Sequence, residues 1–240
     1  MTHELLIHDG WQRCPYLDGL IARLPLFRQL ERLAPEDADR RFELAERRVG
    51  QALYRVACPT CSACEGIRLP VADLTPTRSQ RRALRRWEGL PWRIEVEPPS
   101  VTAPKLALFH EHKQHRGLAD PDEPTLPPGE YEAWLVDSCL ETVEMRYYLA
   151  DRLIGLGIVD LGARSASSVY FYFDPDPDIA RLSPGVFSVF QEAELCRRTG
   201  RRWLYLGLYA NGSQHLAYKA DYYPHERRIE GEWRRFARPN

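Results

Sequence analysis

Apolar and polar residues alternate most clearly in the second half of the chain. Residues 143–176 alternate in this way and carry turn residues at Ala150-Asp151 and Gly162-Ala163, which predicts a three-stranded meander. Residues 183–200 instead repeat apolar positions at helical spacing, begin with Ser-Pro and end with Gly, so they predict a helix. Further strands are predicted over residues 202–209 and 228–236, and further helices over residues 105–116, 129–141 and 213–223.

The first hundred residues have a less regular pattern. Short helical signals occupy residues 25–33 and 36–48, and residues 65–74 predict a strand that is followed by a helix over residues 78–90. Residues 92–100 predict another short strand that ends in prolines, which favour a boundary near residue 100. The sequence therefore predicts two portions, residues 1–100 and 101–240.

The order of elements after residue 100 indicates a fold. Helix, helix, three antiparallel strands, helix, strand, helix, strand is the order expected of a GNAT-type acyltransferase. The prediction is an α+β protein with antiparallel and mixed sheets. Such an order constrains the fold better than the function.

Composition narrows the class of protein. A 240-residue chain with 44% hydrophobic and 28% charged residues is typical of a globular protein with a real core. No apolar run approaches the roughly 20 residues that a membrane span needs, and the first residues do not resemble a secretory signal, so we expect a cytoplasmic protein. The net charge of −1 argues against a protein that coats polyanions.

Arginines are nevertheless concentrated in two places. Residues 78–86 contain five arginines, and residues 226–238 contain five more. A basic surface on a neutral protein fits a partner that is bound at one place, such as the end of a tRNA. Solvated helix faces would give the same pattern.

Three cysteines follow one another at a spacing of three residues in a single segment. Cys58, Cys61 and Cys64 are able to direct their sulfurs to one point, and Cys14 is the best candidate for a fourth ligand of a Zn or iron–sulfur site. The alternative is a set of thiols without metal. Cys139 and Cys196 lie on apolar faces of predicted helices and are expected in the core.

Motifs for nucleophilic or nucleotide chemistry are missing from the sequence. It has no Gly-x-Ser-x-Gly elbow, no P-loop and no His-Glu-x-x-His. Residues 174–187 fall where GNAT enzymes hold coenzyme A but have no run of glycines, so coenzyme A is not expected. Arg181 and the helix that begins after Ser183 would suit a single phosphate. Tyr170 and Tyr205 lie in aromatic strands whose non-core residues would line a cleft.

An ordered set of motifs resembles a known family. From residue 14 to residue 233 the chain carries CPYLDGL, RRVGQALYRVACPTCSACEGIRLPV, TRSQRR, VYFYFDPD, LYLGLY and AYKADYYPHE. This set resembles the bacterial aspartate/glutamate leucyltransferases, which are relatives of the eukaryotic arginyl-tRNA–protein transferases. Val49, Ser213 and Leu216 depart from the family pattern of Arg-Arg-Ser-Gly and of Cys and Met before Tyr-Lys.

The resemblance implies a fold and an activity. It implies two GNAT-like portions and transfer of an amino acid from aminoacyl-tRNA to proteins with an acidic N-terminus, which marks them for N-degron proteolysis. Neither a membrane nor DNA is an expected partner. Cysteines near the positions of Cys14 and Cys61 hold an iron–sulfur cluster in the eukaryotic relatives, so the resemblance allows a cluster here.

The implied chemistry assigns roles to particular residues. An aminoacyl ester is already activated, and an α-amine has a pKa of about 7.7–8.0, so positioning and mild proton removal suffice without a required cofactor. We expect Gln80, Asp174, Tyr218 and Lys219 in catalysis, with turn formation as the alternative for Asp174. Substrate binding is expected from Arg55, Arg78, Tyr16, Tyr170 and Tyr205, with the two arginines pairing with the acidic side chain. Contacts with tRNA are expected from Arg81, Arg82, Arg85, Arg86 and Arg181.

Alternatives remain for the donor and for the class of function. The spacing of the cysteines favours leucine as the donor amino acid, and arginine is the alternative. A GNAT-like acyltransferase with another acyl donor, or a non-catalytic protein that binds acidic N-termini or RNA, would share the fold.

Overall fold

Helices and strands alternate throughout the computed structural model, which describes residues 4–119 and 125–238. The strands are β1 (Glu4–His8), β2 (Trp11–Arg13), β3 (Ile21–Arg23), β4 (Leu26–Gln29), β5 (Arg47–Val49), β6 (Ala52–Tyr54), β7 (Cys64–Pro70), β8 (Trp92–Glu97), β9 (Glu141–Leu149), β10 (Arg152–Leu161), β11 (Ser165–Phe173), β12 (Trp203–Ala210), β13 (His225–Ile229) and β14 (Glu232–Phe236). The helices are α1 (Pro35–Glu43), α2 (Arg78–Arg85), α3 (Ala103–His115), α4 (Pro128–Tyr131), α5 (Pro177–Ala180) and α6 (Pro184–Arg198). A π-helical turn over Glu132–Val136 continues α4, and a 3-10 turn covers Ala217–Asp221.

An eight-stranded sheet organises the molecule. Its order is β14-β13-β7-β12-β11-β10-β9-β8, and every neighbouring pair is antiparallel except β11 and β12, which are parallel. A smaller sheet has the order β1-β4-β6-β5, and β2 pairs with β3. The α+β class with antiparallel and mixed sheets is therefore confirmed.

Strands from both predicted portions share the large sheet. β7 lies between β12 and β13, and β8 pairs with β9 at the edge, although β7 and β8 both precede residue 100. The division into residues 1–100 and 101–240 stays a prediction.

Helices cover both faces of the large sheet. Leu156 and Ile158 of β10 pack with Phe109 of α3, whereas Val159, which points the other way, belongs to the core cluster that contains Phe190 of α6. The α6 residues that enter the core recur at helical spacing, which is why the sequence pattern predicts this helix: Phe187, Phe190, Ala193 and Cys196. Cys139 and Cys196 are buried as expected. No helix among the described residues is long and apolar enough to cross a membrane.

The structure corrects several local predictions. Residues 25–33 contain strand β4 and not a helix, because β4 pairs with β1 on one side and with β6 on the other. Residues 228–236 belong to the hairpin β13–β14, which turns at Glu230 and Gly231, both with positive φ. The short helix predicted over residues 213–223 is a single 3-10 turn.

Candidate active site

A cleft opens where the two parallel strands of the large sheet separate. β11 and β12 pair only over Ser165–Ser167 and Trp203–Tyr205. Beyond this point each strand pairs irregularly with its other neighbour. The register of β11 with β10 shifts between Ile158 and Val159 of β10, and the register of β12 with β7 shifts between Tyr205 and Gly207 of β12. The cleft has a volume of about 710 Å³ and is lined by both strands, the first turn of α6, the end of α3 and the segment that contains the 3-10 turn.

Arg47 occupies the gap between the separated strands. Its guanidinium donates hydrogen bonds to Ser167 Oγ (3.0 Å), to the Ser168 carbonyl oxygen (2.9 Å) and to the Val169 carbonyl oxygen (3.4 Å). These β11 groups are thus satisfied by a side chain at the level where β12 no longer pairs with them.

Lys219 enters the cleft beside Arg47. Its Nζ donates a hydrogen bond of 2.8 Å to the carbonyl oxygen of Leu208 in β12. Burial, and to a smaller extent the charge of Arg47, lower the pKa of Lys219 to about 7. A large fraction of this amine is therefore neutral near pH 7 and able to accept a proton.

Glu192 of α6 lies beneath the cleft. Only 1% of the residue is exposed, and neither carboxyl oxygen has a hydrogen-bond partner of acceptable geometry among the described residues. Burial raises the pKa of Glu192 to about 8, against the smaller opposing effects of the nearby Ser168 hydroxyl and Arg47. This carboxyl group is therefore mainly neutral at pH 7.

The walls of the cleft are apolar and basic. Among the described residues, no aspartate or glutamate lines the cleft, whereas Arg47, Arg48, Arg116 and Lys219 do. Arg48 is held by Asp160 through two hydrogen bonds of 2.9 and 3.0 Å, so its charge is neutralised locally. Arg116 is exposed at the end of α3, and its side chain has no hydrogen bond or ion pair with a described residue.

Four of the predicted site residues meet in this cleft: Tyr16, Tyr170, Tyr218 and Lys219. The hydroxyl groups of Tyr16 and Tyr54 are 3.1 Å apart, and the Tyr170 ring lies 5.1 Å from the ring of Trp134. Tyr218 is 51% exposed, so it stands at the mouth of the cleft.

Arg55 and Tyr205 lie outside this cleft, and their roles in substrate binding stay predictions. Arg55 donates hydrogen bonds of 2.6 Å to Glu46 and to Glu4, so an internal pair of carboxylates already occupies it. Tyr205 is buried on the other side of β12, where its hydroxyl accepts a hydrogen bond of 2.9 Å from Arg68. Neither side chain lines the cleft.

Gln80 and Asp174 are held by local structure. Gln80 forms a capping box with Thr77 at the start of α2, and its amide nitrogen donates to the carbonyl oxygen of Asp221. Asp174 accepts hydrogen bonds from Arg152 and from the backbone of Asp176, which supports the alternative of turn formation. Neither residue lines the cleft, and their catalytic roles stay predictions.

The arginines expected to bind tRNA form one surface beside the cleft. Arg86 donates to the carbonyl oxygen of Arg181 (2.5 Å) and to Ser183 Oγ (3.0 Å), which joins α2 to the start of α6. Arg81 is bound to the carbonyl oxygen of Pro76. The side chains of Arg82 and Arg85 are exposed and have no partner among the described residues, whereas Arg181 pairs with Asp178 at 3.4 Å. Arg78, which is expected to bind substrate, is also exposed and has no partner in the part of the chain that the structure describes.

The cysteines of the predicted metal site are near enough to influence one another. Burial and the neighbouring thiols of Cys14, Cys58 and Cys61 raise the pKa of the Cys64 thiol to about 11. The donor set has the chemistry of a thiolate site. Among residues 4–119 and 125–238, no group of three or more His, Cys, Asp or Glu side chains is placed to hold a metal ion. The metal site stays a prediction.

Three residues of the site are missing from the sequence predictions. Arg47 belongs to the Arg-Arg-Val-Gly segment, whose departure from the family pattern at Val49 is visible in the sequence, so a signal was present. Arg116 ends a predicted helix and carries no signal of its own. Glu192 has the signal of a charged residue on the apolar face of α6.

Comparison with known proteins identifies the family to which this chain is similar. The family model described as "Arginine-tRNA-protein transferase, N terminus" matches residues 12–82, and the corresponding C-terminus model matches residues 104–229. An aspartate/glutamate leucyltransferase of Shewanella sp. (strain MR-7) is 34% identical over 215 residues, which cover 89% of this chain and 87% of that protein. A protein of the same name from Aeromonas salmonicida is 30% identical over 237 residues, covering 98% and 97% of the two chains.

Among solved structures, the C-terminal DUF2156 domain of an Agrobacterium fabrum protein is similar at 12% identity and a TM-score of 0.49, covering 71% of this chain and 57% of that chain. That similarity is too low to support a conclusion.

The fold, the cleft and the matches define an aminoacyltransferase. The chain belongs to the arginine-tRNA-protein transferase family.

Proposed function

We propose that this chain transfers leucine from leucyl-tRNA to the α-amine of proteins that begin with aspartate or glutamate. Relatives that are 30–34% identical carry the name aspartate/glutamate leucyltransferase. The observation that carries the proposal is the composition of the cleft, which has apolar walls and basic groups and, among the described residues, no acidic side chain in its lining.

The cleft favours leucine over arginine as the donor amino acid. An arginyl side chain would enter a space that already contains the cations Arg47 and Arg116, where no described carboxylate lines the wall to pair with it. Desolvation of an unpaired guanidinium is costly, whereas burial of a leucyl side chain contributes about 1.5–3 kcal/mol. Apolar side chains that suit leucine line the cleft: Val49, Val169, Val189, Leu206 and Leu208.

Basic groups at the mouth favour an acidic acceptor. The Arg116 guanidinium has no partner among the described residues and is able to form two parallel hydrogen bonds with a carboxylate. Arg78, on helix α2, is also exposed and has no partner within residues 4–119 and 125–238. Arg116 is the better candidate because it lines the cleft and Arg78 does not.

Lys219 suits the proton transfer in this reaction. The acceptor nitrogen attacks the ester carbonyl carbon, and the bond from that carbon to the ribose oxygen breaks. One proton leaves the nitrogen and one is gained by the ribose oxygen. Neutral Lys219 accepts the first and, as an ammonium, supplies the second, for which a pKa of about 7 is well matched.

The test is transfer of labelled leucine, and separately of labelled arginine, from charged tRNA to peptides beginning with Asp, Glu, Asn or Ala. Leucine incorporation confined to the Asp and Glu peptides is the expected result. Arginine incorporation would contradict the donor assignment. If neither label is transferred, a non-catalytic binder of acidic N-termini becomes the better explanation.

A metal at the cysteines is a separate proposal. The reaction above uses none, and Cys14, Cys58, Cys61 and Cys64 are the residues that would hold one. Metal and sulfide analysis of protein purified without oxygen, compared with Cys61→Ser, tests it. Equal metal content in both proteins would contradict a thiolate site.

A further inference from the structure

Arg47 links two sheets at the place where the cleft opens. It belongs to β5 of the smaller sheet, whereas its hydrogen-bond acceptors belong to β11 of the large sheet. The strands β11 and β12 cease to pair directly after Ser167 and Tyr205, which is the level of these hydrogen bonds. The guanidinium therefore occupies a position in which strand-to-strand hydrogen bonds would otherwise form.

Gly207 makes room for this guanidinium. A Cβ atom at Gly207 would lie 2.6 Å from Cζ of Arg47 and 2.8 Å from its Nε, closer than atoms pack. Gly207 also has a φ of +84°, which side-chain-bearing residues adopt only with strain. The guanidinium of Arg47 therefore has room at this position only because residue 207 of the irregular strand β12 is a glycine.

The charge of Arg47 acts on the proposed proton acceptor. Lys219 is bound to the carbonyl oxygen of Leu208, the residue after Gly207. Apart from burial, Arg47 is the group that lowers the pKa of Lys219. The other titratable or charged groups around the cleft come from several elements: Tyr16, Tyr54, Arg48, His112, Arg116, Tyr170, Glu192, His215, Tyr218 and Tyr222.

We propose that Arg47 is a positioning residue that holds β11 and β12 apart to form the cleft and, by its charge, disfavours a second positive charge on Lys219. The smaller sheet thereby contributes Arg47 to an active site whose walls come mostly from the rest of the chain. This inference rests on the proposed role of Lys219 in the transfer reaction.

Two substitutions separate the geometric effect from the effect of charge. Arg47→Met removes the charge and the hydrogen bonds but keeps an unbranched side chain of similar length. Arg47→Lys keeps the charge but loses the planar guanidinium that binds several acceptors at once. Both variants are expected to lose about tenfold to hundredfold in kcat/KM for the transfer, because misplaced strands misplace the substrate. Only Arg47→Met is expected to move the acidic limb of the pH–rate profile to higher pH. The surface variant Arg198→Met, on the exposed end of α6, is the control.

The outcomes are distinguishable from failure of the proposed function. A folded Arg47→Met enzyme with wild-type kcat/KM would overturn the positioning role. An acidic limb at the same pH in the Met and Lys variants would overturn the effect of charge. A wild-type protein that transfers nothing would instead refute the proposed function.

A second measurement does not depend on activity. The pH dependence of acylation of Lys219 by acetic anhydride, followed by peptide mass spectrometry, reports when this amine becomes neutral. The midpoint is expected at higher pH in Arg47→Met than in wild type or Arg47→Lys, and thermal unfolding of each variant verifies that it folds. Equal midpoints would overturn the effect of charge even if no transfer is detected.

Discussion

At the scale of single residues, burial changes the chemistry of this site more than residue type does. Glu192 is a carboxyl group that is mainly neutral at pH 7, and Lys219 is an amine that is largely neutral near the same pH. Both changes arise chiefly from burial, which penalises the charged form. From residue type alone, Glu192 would be expected to carry a negative charge and Lys219 a positive charge at pH 7.

Glu192 is expected to make stability depend on pH. Its folded pKa of about 8 lies above the ordinary value of 4.5, so the folded state binds this proton more tightly than the unfolded state does. The stability that this proton contributes is complete below the unfolded pKa and is lost as the pH rises through about 8.

Glu192→Gln should therefore remove about 3 kcal/mol of the difference in unfolding free energy between about pH 5 and pH 8. Urea unfolding of the variant and of wild type at both pH values measures this difference. Parallel pH dependence in the two proteins would show that Glu192 does not titrate on unfolding.

Arg116 is expected to recognise the acidic acceptor. Arg116→Gln should raise KM for a peptide with N-terminal Asp by about tenfold or more, because a hydrogen-bonded charge pair is lost. It should leave KM for the charged tRNA unchanged. Steady-state kinetics with the Asp peptide varied, and separately with the charged tRNA varied, measures the two KM values, and an equal rise in both would argue against carboxylate recognition.

Of the predicted site residues, some meet in the cleft and others lie outside it, and the roles of all of them stay predictions. Tyr16, Tyr170, Tyr218 and Lys219 all reach the cleft. Arg55 does not, because Glu4 and Glu46 bind it, and a partner 51 residues away along the chain cannot be read from a motif.

At the scale of elements, α2 presents a basic face to solvent. Arg82 and Arg85 are exposed and have no partner among the described residues, whereas Arg86 is engaged with the start of α6. Arg82 and Arg85 are therefore the ones available for phosphates, and Arg86 has a part in placing α6 beside the cleft.

Replacing Arg82 and Arg85 together with alanine should weaken tRNA binding and reduce the slope of log K against log salt by about 1–2. Titration of tRNA at several salt concentrations measures the slope. Arg198→Ala serves as the control because it removes an exposed arginine from the far end of α6. An unchanged slope in the double variant would exclude this face as a tRNA contact.

Element prediction succeeded where periodicity is long and failed where pairing is non-local. The meander β9–β11 and helix α6 follow from their patterns. β4 was predicted as a helix because its short segment has no decisive periodicity, and its pairing with β1 and β6 fixes it as a strand.

At the scale of the whole molecule, β7 connects the two predicted portions. It pairs with β12 and β13, and its residues Ile67 and Leu69 are fully buried. Arg48 adds a buried ion pair between β5 and Asp160 of β10. These contacts cross the predicted boundary.

A chain of residues 101–240 alone should therefore lack cooperative unfolding. Removal of β7 leaves β12 paired only with β11 and β13 paired only with β14, which splits the large sheet and exposes apolar residues of the main core. Circular dichroism during thermal unfolding, compared with the full chain, measures this. A sharp transition in the shorter chain would support two independently folding portions.

The sequence by itself determined the α+β class, the order of the main elements and the family, because these depend on periodicity within segments and on collinear motifs. It also indicated Lys219 and three of the tyrosines. Only the tertiary structure decided which arginines have partners among the described residues, that β7 lies inside the large sheet, and that Arg47 and Gly207 meet where the strands separate. These features depend on contacts between residues far apart along the chain and on burial, which sets the charge of Lys219 and Glu192.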